Sequence, residues 1–185
     1  LDLDGIGPED RAAPVCEDSN QLAADLEALG PTYIKLGQLL STRVDLLPEP
    51  YTVALSRLQD DVAPFSFAEV EQIVTDELGV ELRHAFASFD ENPVAAASLA
   101  QVHRATLRSG REVAVKVQRP GIRKQIADDM EALAELATFA DAHTEIGRKF
   151  GFSDLLEQFR KALVAELDYT REATNLTTLA RSVEP

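Results

Sequence analysis

Apolar residues recur every three or four positions along most of this chain, the mark of helices that bury one face. Leu22, Leu26 and Leu29 predict a helix over 20–29 that Gly30-Pro31 ends, and Pro31 can open a second one carrying Tyr33, Ile34, Leu36, Leu39 and Leu40. Lys35 and Gln38, three apart, then share a helical face. Pro48 and Pro50 bracket a turn before a short helix through Leu58. Ser66-Phe67-Ala68-Glu69 is a capping-box signature, followed by Val70, Ile73, Val74 and Leu78 at helical spacing, with Gly79 as the stop. Residues 1–18 lack this periodicity and carry Gly5, Gly7, Pro8 and Pro14, so they read as a loose leader.

The period changes near Phe86. Alternation over Leu99–Leu107 and Glu112–Val117, joined by Ser109-Gly110, predicts an antiparallel hairpin. Strand periodicity puts Val113, Val115 and Val117 on one face and Ala114 and Lys116 on the other. Arg119-Pro120-Gly121 breaks the strand, and two longer helices follow, over 125–143 and 154–180, the second with Ser153 as its expected N-cap. The expected organisation is α+β: a leader over 1–18, a helical extension over 19–85, and a third part over 86–185 built on a small antiparallel sheet with two long helices.

Composition narrows the function classes. A net charge of -14 argues against non-specific nucleic-acid binding, which needs a basic surface. Thirty-two acidic residues against eighteen basic ones suit a salt-adapted organism, and suit a GC-rich genome as well. The single cysteine, Cys16, leaves no internal disulfide and no cysteine-based zinc cluster, so no metal ligands are assigned and a cytoplasmic setting is expected. No apolar run reaches the roughly 20 residues that span a bilayer. The chain starts at Leu1 and stops inside a helical pattern, and so reads as part of a longer protein.

Candidate chemistry concentrates in 95–116. A protein-kinase phosphate loop reads G-x-G-x-x-G-x-V and precedes a strand with V-A-I-K. Here Ala95, Ala97 and Ala100 stand at the glycine positions, with Ala96 and Ser98 between them; Val102 takes the valine position and Val113-Ala114-Val115-Lys116 supplies the lysine strand. Alanine methyls would restrict the close backbone approach that glycine permits. Lys116, between valines, is expected to be buried and therefore to need an anionic partner, a carboxylate or a phosphate. On a continuous helix Asp168, Glu172 and Asn175 would share one face, with Glu166 turned away. Periodicity alone makes that face an ordinary solvated one.

Taken together, Lys35-Leu36-Gly37-Gln38, the Ala95–Ala100 loop, Val113–Lys116, and Glu166-Leu167-Asp168 followed by Glu172 and Asn175 resemble the ABC1/ADCK/UbiB family of atypical protein-kinase-like proteins. The resemblance implies a kinase-like N-terminal lobe carrying a helical extension with a K-x-G-Q motif. It implies ATP or ADP held at Ala95–Ala100, Val102, Ala114 and Lys116, with Lys116 paired to Glu172 as in a kinase ion pair. It further implies that Lys35 and Gln38 fold over the site, with Lys35 meeting Glu166 and Asp168, and that peptide substrates are excluded. Quinone or isoprenoid-lipid metabolism, lipid or quinone-pathway partners and a peripheral membrane contact are the implied setting. No H-R-D or D-F-G motif is present, so the magnesium-holding C-terminal lobe is expected to lie outside this chain, which by itself should not turn over ATP. A non-catalytic, kinase-shaped scaffold that controls a partner stays open as the alternative.

Overall fold

A computed structural model describes residues 8–58 and 62–183. They fall into two compact units, residues 1–125 and 126–185, divided inside one continuous helix rather than between the helical extension and the sheet.

In the first unit, α1 (Pro8–Leu29), α2 (Pro31–Ser41) and α3 (Glu49–Leu55) pack around Leu26, Ile34, Leu55 and Leu58. The first helix starts at Pro8, well inside the expected leader. Gly30, at φ 104°, makes the break that lets Pro31 open α2. Further along, α4 (Phe67–Leu78) begins at the expected capping box, with Ser66 Oγ accepting from the Glu69 N–H while Glu69 returns to the Ser66 N–H at 3.0 Å. It ends at left-handed Gly79, and a single turn, α5 (Leu82–Ala85), leads into the sheet.

The sheet has four strands: β1 (Phe86–Phe89), β2 (Ala95–Ala96), β3 (Ala100–Leu107) and β4 (Glu112–Gln118). All pairings are antiparallel and all involve β3. On one side β3 takes β4 along its length; on the other it takes β1 at its far half and β2 at its near half. Gly110, at φ 87°, closes the β3–β4 turn where Ser109-Gly110 predicts it. One face of the sheet is covered by α4 and α5 through Val70, Val74, Leu82, Phe86, Ala105 and Val117. The last helices of the sequence-defined extension are thus the roof of the sheet's core.

In the second unit, α6 (Ile122–His143) continues from the first and α7 (Glu145–Phe150) lies against it so closely that a β-carbon at Gly147 would meet the Ala140 carbonyl. The helix expected over 154–180 is two helices, α8 (Phe152–Glu166) and α9 (Tyr169–Val183). Ser153 is not the cap of α8. Gly151 occupies that position, and Asp141 caps from a distance by accepting the Phe152 and Ser153 N–H groups at 2.8 and 2.9 Å. Among the described residues no helix is long and apolar enough to cross a membrane.

Candidate functional site: the open face of the sheet

Antiparallel partners point to the same side of a sheet. Ala95 faces Val102 and Val102 faces Lys116, so these three form one rung across β2, β3 and β4. The next rung, Ala96, Gln101 and Val117, points to the opposite side, where Gln101 and Val117 are buried. Ala114, facing Arg104, stands beside Lys116 on the open side, and both are exposed. Sequence alternation therefore assigns the faces correctly, but burial of Lys116 does not follow: the valines around it point the other way, and the lysine lies in the accessible surface.

The loop that joins β2 to β3 is tight. The Ala97 N–H donates to the Ala100 carbonyl at 2.7 Å, and Ser98, Leu99 and Ala100 are all buried. Every non-glycine residue here has a negative φ, so alanine fits without backbone strain. The glycines of the kinase pattern are not needed for this shape.

Two side chains that sequence reasoning passed over hold the loop's surroundings. Gln101, 1% exposed, accepts from the Phe65 N–H at 3.1 Å and donates to the Phe65 carbonyl at 3.3 Å. Its Nε2 also lies 3.0 Å from Nε2 of His103, whose Nδ1 is 2.8 Å from the Asp90 carbonyl. A carbonyl can only accept, so Nδ1 carries the proton and Nε2 accepts from Gln101, leaving the ring neutral. The ring itself packs between Phe67 and Phe89. Arg119, at the end of β4, donates to the carbonyls of Ser98 at 3.1 Å, Ala97 at 3.4 Å and Ala63 at 3.1 Å, and lies over the Phe65 ring.

In α2, Lys35 and Gln38 are half-buried, and Gln38 donates to the Leu58 carbonyl at 3.1 Å. Between them Gly37 is fully packed: a β-carbon there would collide with Leu58 and press on Leu26 at 3.0 Å. The glycine of the K-x-G-Q motif is thus what lets α2 seat against α1 and α3.

Glu166 ends α8, and Asp168 lies in the junction, outside either helix. Its carboxylate accepts from the Arg171 N–H at 3.0 Å, capping α9. The single face expected for Asp168, Glu172 and Asn175 on a continuous helix is replaced by a cap followed by a first turn that contains Glu172; all three residues are exposed. Lys35, Gln38 and Lys116 belong to the first unit, and Glu166, Asp168 and Glu172 to the second. Among the described residues no group of three or more His, Cys, Asp or Glu is placed to hold a metal ion.

This sheet, with its lysine strand, its alanine loop and its helical roof, matches known proteins. The profile of the ABC1 atypical kinase-like domain matches residues 57–185. The chain belongs to that family. A Cellvibrio japonicus protein named probable protein kinase UbiB is 43% identical over 169 residues, covering 91% of this chain and 31% of its own length. A Synechocystis relative, uncharacterized protein sll1770, is 44% identical over 158 residues, 85% of this chain and 27% of the relative. The chain thus spans about a third of the curated relatives it matches. Among solved structures, the Mycobacterium tuberculosis protein Rv3197, in complex with erythromycin, superposes with a TM-score of 0.56 at 29% identity, over 96% of this chain and 45% of that one. A kinase-like mixture of helices with a small antiparallel sheet is therefore the fold.

Proposed function

We propose that this ABC1-family chain is the nucleotide-lid half of an atypical kinase or ATPase of the UbiB type, acting in quinone or isoprenoid-lipid metabolism. The observation that carries the reading is the rung Ala95–Val102–Lys116, with Ala114 beside it on the open face. It gathers a cation, two small side chains and a loop turn at one end of a sheet, the combination a nucleotide needs: a flat apolar floor for the base and positive charge for phosphates. Bound ATP would supply the phosphoryl group and leave ADP as the product. Lys116 would balance phosphate charge, Ala95–Ala100 and Val102 would line the lid, and Ala114 would leave room for the base.

The family resemblance gives Glu172 the role of carboxylate partner to Lys116, and Glu166 and Asp168 that of partners to Lys35. Magnesium ligands are assigned to the part of the relatives this chain does not span. The relatives' name supports a quinone-pathway setting; lipid or quinone-pathway partners and peripheral membrane contact are part of the proposal. The erythromycin held by the mycobacterial neighbour supports a site able to take bulky small molecules.

Calorimetric titration of ADP and ATP, with and without magnesium, into this chain and into one extended by about 150 residues, the size of another domain, tests the proposal. Binding to the extended chain that is weakened by Lys116→Ala supports it. No binding to either turns the reading to a kinase-shaped scaffold.

A further inference from the structure

The function of Arg119 is not visible in the motif pattern, yet its guanidinium reaches several backbone carbonyls in and around the loop. Its guanidinium reaches two consecutive loop carbonyls, Ala97 and Ser98, and a third at Ala63, in the segment before α4. It also lies 5.5 Å from the centroid of Phe65, whose backbone is held by Gln101. Its own N–H donates to the Leu99 carbonyl at 2.9 Å. Gln101 points to the core side of the sheet and Phe65 packs in that core, so the Arg119 head lies on the same side.

A trans peptide places its N–H opposite its C=O. With the Ala97 and Ser98 carbonyls held by Arg119, the N–H groups of Ser98 and Leu99 turn away from the guanidinium, and both residues are buried. Among the described residues the Leu99 N–H meets no backbone acceptor. We propose that Arg119 is a positioning residue that fixes the backbone of the alanine loop where it would meet nucleotide phosphates and ties that loop to the segment leading into α4. The arginine thus takes over, from behind, the shaping that glycine torsions give an ordinary kinase loop. This rests on the nucleotide reading above, and its ligand is the phosphate part of a nucleotide.

The test uses the complete protein that carries this chain, with R119A and R119K. Two quantities are read: affinity for ADP and for adenosine, and amide hydrogen exchange at residues 97–100 compared with β1, β3 and β4. Loss of a charge-assisted set of hydrogen bonds should weaken ADP about tenfold or more in R119A. Adenosine, which has no phosphates, should keep its affinity within about twofold, and exchange should accelerate at 97–100 and in the segment before α4 while β1, β4 and the rest of β3 stay protected, as expected of local opening. R119K should recover little, because an ammonium lacks the planar fork that spans several carbonyls. Equal losses for ADP and adenosine, or uniformly faster exchange, would mean a general structural role and overturn the proposal, as would unchanged ADP affinity. If the unmodified protein binds no nucleotide, the functional reading fails, and unchanged exchange at 97–100 in R119A would then refute the loop-setting role separately.

Discussion

Gln101 grips Phe65 by both backbone groups, accepting at 3.1 Å and donating at 3.3 Å, much as a neighbouring strand would. This pins the segment before α4 to the start of β3 although 36 residues separate the partners. Replacing Gln101 by Leu keeps volume but strips Phe65 and His103 of their partner. The expected cost is about 1–3 kcal/mol, the penalty for leaving buried polar groups unmade. Thermal unfolding checks it, at about 2–4 °C per kcal/mol for a chain of this size.

Gly37→Ala should destabilise by about 1–3 kcal/mol through overpacking against Leu58 and Leu26. Urea unfolding reads the loss. If α2 packed loosely, alanine would instead raise stability slightly through its better helix propensity.

Lys116→Ala should leave the fold intact, since the residue is exposed on the open face, and should weaken ADP binding about tenfold or more, the worth of a charge-assisted contact. Lys116→Arg should restore part of it. Titration of both variants, with unfolding curves alongside, separates a binding role from a structural one.

Acid should weaken the second unit as Asp141 and Glu157 lose their charge. Hydrogen bonding to Arg160, at 2.7 and 2.8 Å, holds the Glu157 carboxyl down at about 2, and hydrogen bonds from Ser153 and Phe152 lower that of Asp141. A carboxyl lowered in the folded state contributes stability above its ordinary value, and that contribution is lost as pH falls through the folded one. For Glu157 the window is therefore from about 4.5 down to about 2. Helical circular dichroism followed across that range should show a weaker pH dependence in Glu157→Gln and Asp141→Asn. Because Glu157 is partly exposed, added salt should shrink its share.

Sequence alone identifies what local chemistry decides. The Ser66–Glu69 box, the Gly79 stop, the Gly30-Pro31 break and the Ser109-Gly110 hairpin each depend on a few adjacent residues, and the structure has each in place. The division of faces on β4 follows from strict alternation, whereas the exposure of Lys116 depends on what covers each face. The junction at Leu167-Asp168 is hidden because Leu163 and Leu167 continue the stripe of Phe159 across it. Asp141 as the cap of α8 acts over eleven residues, and Gln101 and Arg119 act over 36 and up to 56; no periodicity encodes such partners. Gln101 and His103 do carry one signal, polar side chains at alternating positions among residues that read as core.

Since β1, β2 and β4 all pair with β3 and none with another, the alignment of the whole sheet is stored in one strand. A slip of β4 by a single residue would turn Lys116 into the apolar core and Val117 out to water, while β3, held by β1 and β2, would keep its own facing. Misalignment therefore carries a heavy penalty in β4, and the outer edge of β4, which pairs with no further strand among the described residues and belongs to a strand bearing Glu112 and Lys116, is poorly suited to recruit a stray strand from another chain.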